Sequence, residues 1–311
     1  MSLAAAAPGV SMMVSNRGSF IGVLFWQWQH TLVFIAGGLA AWFGHDVMVW
    51  KHVALPAAPA TVTGAALGIF ASFRANAAYA RWWEGRQLWG KLVNASRMWA
   101  TQTRAYLSDA AVADTLVRRH ALYVHVLRCQ LRDDDVFADE HVRRLSNRLD
   151  IDADEEARLK SQTSMCHALL DVQMQALMKD KGLDPLRLQS LDSTIMTFLD
   201  VQGGCERIKR TPMPRGYGFF VERLLLFFSV LFPLAIVKEV GWAVIPVNII
   251  VCMGFALISE TGRVLEDPFT HFWNSLPLSN MSANIERNIS QRLGDTDLVA
   301  PVTVDKKGIM W

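Results

Sequence analysis

The sequence predicts an all-α integral membrane protein with four transmembrane helices and a large helical cytoplasmic region. Three observations carry that prediction. Apolar stretches of membrane character occupy residues 20–43, 60–73, 219–237 and 242–259. The polar part between them, residues 74–215, shows helical periodicity without strand alternation. The composition is mixed: 51% of the 311 residues are hydrophobic and 11 are tryptophan, with a mean hydropathy of +0.19, yet 19% are charged. That is too apolar for an ordinary soluble chain and too polar for one that stays in lipid throughout.

The chain is organised around residues 60–94, ATVTGAALGIFASFRANAAYARWWEGRQLWGKLVN. The stretch starts as a membrane-type helix, passes Arg74 without a turn signal and continues as helix to about residue 98. Ala65, Ile69 and Phe73 fall at i, i+4 and i+8, and so share one face. Gly64, Ala65, Ala66, Gly68, Ala71 and Ser72 are small enough to let helices approach closely. Two readings fit: several copies meeting around an axis with narrow apolar rings that gate ions by dewetting, or one close-packed helix in an ordinary bundle.

Ahead of this stretch, residues 1–16 have no basic region leading into an apolar core, so a removable signal peptide is not expected and the segment reads as loosely attached. The first span, about 20–43, is interrupted by Gln27, Gln29 and His30; with no second intramembrane histidine to share a ligand role, His30 reads as interfacial or capped. The connection 44–59 holds only Lys51, whereas residues 74–215 hold 22 of the 31 lysines and arginines. The positive-inside rule therefore places 74–215 and both termini in the cytoplasm.

Within the cytoplasmic region Leu116, Tyr123, Leu127 and Leu131 share a helix face, with Arg118, Arg119 and Arg128 elsewhere. Trp82, Trp83 and Trp89 with Arg81, Glu84 and Arg86 read as an interfacial belt. The acidic run from Asp150 to Glu156 opens like a calcium loop but has Glu155 where glycine is required and Ser161 where the closing glutamate belongs, so it is no EF-hand. Asp133, Asp134 and Asp135 read likewise as helix ends. Asp184 is placed as an N-cap with Pro185 at the first helical position, opening a helix that runs to about Asp200 and ends at Gly203 and Gly204. Thr211 to Pro214 leads back to the membrane, the third span is kinked near Pro233, and Lys238 and Glu239 mark a short outer turn. The tail, 260–311, is polar, with helical sequence over 283–292 and an apolar end that either docks or is disordered.

Chemistry is conspicuously missing from the pattern. There is no GxGxxG after a strand, no GxSxG and no HExxH, and His120, His125, His141 and His167 share no ligand spacing. The four cysteines, at 129, 166, 205 and 252, are far apart and read as buried reduced thiols. A net charge of +2 gives no case for nucleic acid. No enzyme, metal or cofactor is expected.

The segments GIFASFRANAAYARWWEGRQLWG, Asp184-Pro185-Leu186, GGCERIKRTPMPRGY and RVLEDPFTHFWNSLPLSNMSANIERN, in this order around four spans, resemble the prokaryotic branch of the bestrophin family from about Ser19 to Ile289. The resemblance implies one channel unit over residues 1–311, assembling as a homopentamer in a bacterial inner membrane, bounded by lipid. The second helix would line a central pore for small permeant ions. Its three-residue hydrophobic neck falls on Ala65, Ile69 and Phe73, and its cytosolic aperture on Leu186. Ala65 departs from the usual bulky residue and implies a wider outer ring. The family's calcium-clasping acids correspond to Thr270–Ser275, which carry no carboxylate, so calcium activation is not expected. The resemblance slightly favours cations, with a chloride channel as the alternative. A cofactor-bearing membrane enzyme and a membrane scaffold without ion flux are the competing classes.

Overall fold

A computed structural model describes residues 27–272 and 274–303. Among them every regular element is helical. The elements are α1 (Trp28–Trp42), α2 (Ala57–Tyr106), α3 (Ala110–Arg132), α4 (Glu140–Arg148), α5 (Ala153–Ser161), α6 (Met165–Lys179), α7 (Pro185–Arg210), α8 (Arg215–Val240), α9 (Val244–Leu265) and α10 (Leu278–Leu293), with short π and 3-10 turns between some of them. Residues 1–16, the start of the first expected span at 20–26, and the end of the tail at 308–311 lie outside the described residues.

The chain divides into two compact units. One contains α1, the first half of α2 up to Trp82, α8 and α9. Its core is Phe34, Leu67, Ala71, Val221, Leu225, Phe228, Cys252, Met253 and Ala256. A Cβ on Gly64 would come within 2.8 Å of the Phe228 ring, so glycine here lets α2 lie close against α8. Asn248, buried on α9, donates its amide to the carbonyl of Phe34 at 2.8 Å, which removes an otherwise costly unpaired polar group.

The stretch Gly218–Leu265 is long and apolar enough to cross a membrane by length and composition. It comprises α8 and α9, parted by Gly241 at a φ of 56°, a conformation that glycine adopts without penalty. Lys238 and Glu239 therefore belong to the last turn of α8, and the turn between α8 and α9 is Gly241–Ala243. The sequence placed that turn by its charges, which a helix end accommodates. α8 runs unbroken through Pro233. No other described helix meets the same criterion: α1 is described over 15 residues, and α2 carries alanine, glycine, serine and threonine where α8 carries leucine and phenylalanine.

The second unit holds the rest of α2, α3 to α7, and α10. Leu116, Tyr123, Leu127 and Leu131 are all buried, but so is almost every residue of α3 from Leu116 onward, Arg128 included. α3 is thus the central helix of this unit, and its arginines are retained through pairing: Arg118 with Asp295, Arg119 with Glu155, and Arg128 with Asp139. Trp89 is wholly buried with Trp99 in this core, so within the expected interfacial belt it packs instead of anchoring; Trp83 is exposed.

The acidic clusters serve as helix ends. Asp133 closes α3 in the left-handed conformation, while Asp109, Asp139 and Asp152 cap the N-termini of α3, α4 and α5. α7 does not stop at Gly203 and Gly204 but continues to Arg210. A Cβ on Gly204 would meet the Leu88 side chain at 2.9 Å, so this glycine serves helix contact and not termination. The four cysteines are free and buried, and burial raises the Cys129 and Cys205 thiols to about 12, which leaves them unreactive.

Candidate permeation face

α2 is a single helix of 50 residues, long enough to extend well beyond a bilayer of about 30 Å at about 1.5 Å per residue. In its N-terminal half one face is turned inward: Ala60, Leu67, Ala71, Arg74 and Ala78 are buried. The other face carries Ala65, Ile69 and Phe73, all exposed in the single chain; Ile69 is 56% and Phe73 60% accessible. The spacing argument and the burial pattern therefore agree on the same stripe.

A cation lies next to this stripe in sequence but not on it. Arg74 is 4% exposed; its Nη1 donates to Ser259 Oγ at 3.3 Å and its Nη2 lies 3.6 Å from the Glu266 carboxylate. Arg81 Nε donates to the Glu266 carbonyl at 3.0 Å. Both terminal nitrogens of the Arg74 guanidinium are thus directed at α9 and its end, while its Nε is buried without a partner among the described residues, and the exposed stripe is left apolar.

Leu186 stands in the other unit at the start of α7 and is 76% exposed, among the most accessible large apolar side chains described. Its position follows from local chemistry. The Asp184 carboxylate accepts from the backbone amides of Leu186 and Arg187 at 2.9 and 3.3 Å, and Pro185 presets the first helical residue. The Asp-Pro pair therefore fixes the backbone and leaves the leucine side chain without packing partners to bury it.

Sequence spacing did not bring together three further residues. His125 on α3, His141 on α4 and Glu286 on α10 meet in the second unit, with His125 Nε2 at 2.9 Å and His141 Nδ1 at 3.2 Å from the same carboxylate oxygen. They come from three helices, so no short spacing in the chain announces them. His125 lies opposite the stripe of Leu116, Tyr123, Leu127 and Leu131 on α3, on the side of Arg128 and Arg132, so apolar periodicity gave no pointer to it.

The chain matches, over residues 3–291, the family profile described as bacterial and fungal bestrophin protein. It belongs to the bestrophin family. Among bestrophin relatives, a voltage-dependent anion channel-forming protein of Ralstonia nicotianae is 31% identical over 292 residues, covering 92% of each chain. One of the same description from Mesorhizobium japonicum is 30% identical over 257 residues, covering 83% of this chain and 80% of its own. The crystal structure of a bacterial bestrophin homologue from Klebsiella pneumoniae superposes with a TM-score of 0.80 at 26% identity, over 87% of this chain and 99% of that one.

Proposed function

We propose that this bestrophin is a passive ion channel that conducts small anions, chloride among them, through a homopentameric pore in a bacterial inner membrane. The observation that carries the reading is the exposed apolar stripe Ala65, Ile69 and Phe73 on a helix whose other face is buried. Large apolar side chains left outside the core of a single chain need a covering surface or a function. In a ring of five copies, Ile69 and Phe73 form the neck, Ala65 a wider ring outside it, and Leu186 a separate cytosolic aperture.

Four membrane crossings return both termini to the cytoplasm. The names of the relatives as anion channel-forming proteins support the anion reading over the slight cation preference that the resemblance implied. Apolar rings attract no ion directly, so charge selection arises in the wider parts of the pathway from helix ends and polar groups. The activity needs no catalytic group, cofactor or nucleic acid.

The experiment is single-channel recording of Ile69→Ala and Phe73→Ala against wild type in planar bilayers. Widening the neck raises unitary conductance or open probability. Unchanged conduction from variants that remain assembled removes α2 as the pore-lining helix.

A further inference from the structure

The His125, His141 and Glu286 cluster plays no part in conduction as read above, yet it is a built polar site. Its parts are positioned by independent devices. Asp139 caps α4 by accepting from the amides of His141 and Val142, both at 3.1 Å, and its other oxygen takes Arg128 Nη2 at 2.5 Å. That ties the first turn of α4, and hence His141, to α3. Glu286 on α10 is 2% exposed and His125 is fully buried, whereas His141 keeps 28% of its side chain accessible and opens the cluster to solvent.

The hydrogen bonding is frustrated as it stands. Arg144 Nη2 donates to Glu286 Oε1 at 2.5 Å and approaches His141 Nδ1 at 3.3 Å, while that same Nδ1 lies 3.2 Å from Glu286 Oε2. If Nδ1 carries a proton it faces the donor on Arg144. If it does not, its lone pair faces a carboxylate oxygen. His125 adds a second imidazole nitrogen to the same oxygen at 2.9 Å, and all three candidate ligand atoms lie within 4.8 Å of one another.

We propose that His125 Nε2, His141 Nδ1 and Glu286 Oε2 bind a borderline divalent transition ion of the zinc class. Two imidazoles and one carboxylate form a donor set typical of that ion, with a fourth position left for water. The nitrogen-to-oxygen distances of 2.9 and 3.2 Å are close to the edge of a tetrahedron with metal–ligand bonds of about 2.0–2.1 Å, and the third edge, between the two nitrogens, lies within 4.8 Å and closes only as the rings turn toward each other. The rings of His125 and His141 now lie stacked, 4.5 Å between centroids and 7° from parallel, so the more exposed His141 ring tilts to aim its lone pair. Each imidazole binds as the neutral tautomer protonated on its other nitrogen, and Glu286 binds as carboxylate.

The surroundings favour these forms. Burial lowers His125 to about 4, so it is neutral at physiological pH. Glu286 now stands well below the usual carboxylate range, against the effect of burial, because His125 and His141 donate to it and Arg144 lies beside it; ion binding replaces the two imidazole bonds with metal bonds, and the charge of Arg144 remains to hold the carboxylate. Arg144 keeps its bond to Oε1 and acts as the outer partner that orients the ligating carboxylate. The bound ion would join α3, α4 and α10 in the second unit, and the site stands independently of the channel reading.

The test uses detergent-purified full-length protein without a histidine tag, freed of metal by chelation and titrated with Co2+ and then Zn2+. Wild type takes up one Co2+ per chain with the visible d–d bands of a four-coordinate ion, and Zn2+ displaces it and raises Tm. His141→Ala, on the partly exposed ligand, weakens binding by more than about tenfold. His141→Cys retains binding and adds a thiolate-to-cobalt charge-transfer band. Wild-type protein that takes up no Co2+, or uptake and spectrum identical in His141→Ala and His141→Cys, overturns the assignment.

Discussion

Arg74 Nη2 lies 3.6 Å from the carboxylate of Glu266, and this pair keeps a cation off the exposed stripe one residue away. The arginine is nearly buried while Glu266 retains about a third of its exposure. The strength of the contact is therefore between that of a surface pair and that of a buried one. Arg74→Gln is expected to destabilise the folded unit by about 1–3 kcal/mol. Thermal unfolding of Arg74→Gln, Glu266→Gln and the double variant checks it: the double substitution should cost less than the sum of the singles. Strict additivity would mean that the pair contributes nothing.

Leu186 and Asp184 separate function from folding within one turn. Leu186 is exposed, so Leu186→Ala should change stability by no more than about 0.5 kcal/mol while altering conductance. Asp184→Ala removes the acceptor for two backbone amides and should cost about 1 kcal/mol. Paired melting curves and single-channel recordings of the two variants should show this opposite pattern.

His120 makes folding sensitive to acid. Ser96 Oγ donates to the Leu92 carbonyl at 2.7 Å, so at 2.8 Å from His120 Nε2 it acts as acceptor, leaving Nδ1 unprotonated and without a partner. Burial against Phe198, with ring centroids 4.1 Å apart, lowers this histidine to about 3 from an ordinary 6.5. Above pH 6.5 neither the folded nor the unfolded chain holds the extra proton. Between 6.5 and 3 only the unfolded chain does, so stability falls with falling pH by about 1.4 kcal/mol per unit from this group. Urea unfolding from pH 7 to 5 should show the decline, and His120→Phe should reduce its slope by one proton.

Calcium should not gate the channel. The segment 270–275 carries no carboxylate, and a hard divalent ion needs several oxygen ligands. Within it His271 bonds to Asp134 at 2.9 Å and Thr270 to Ser275 at 3.0 Å. Open probability measured with micromolar calcium and with a calcium chelator should be the same. A reproducible rise with calcium would place an acidic site elsewhere in the chain.

Several elements of this fold were legible in the sequence because local chemistry fixed them. The Asp184-Pro185 start of α7, the continuity of α2 past Arg74 and the shared face of Ala65, Ile69 and Phe73 follow from capping and period alone. What failed depended on distant partners. Gly204 reads locally as a stop signal, but Leu88 packs against it within a continuing helix, and Trp89 reads as interfacial although it is core. His125, His141 and Glu286 shared no spacing because three helices deliver them. Ala65, Ile69, Phe73 and Leu186 were found by period and resemblance; their exposure fits a pore, but their roles rest on assembly.

Reversal potential decides the central claim most directly. Purified protein in a planar bilayer under a sodium chloride gradient, with each ion then replaced in turn, should pass a current that reverses near the chloride equilibrium potential and follows chloride replacement. Reversal near the sodium potential would contradict anion conduction while keeping the pore. Folded, membrane-inserted protein that passes no current at any voltage or in either orientation would contradict the channel itself.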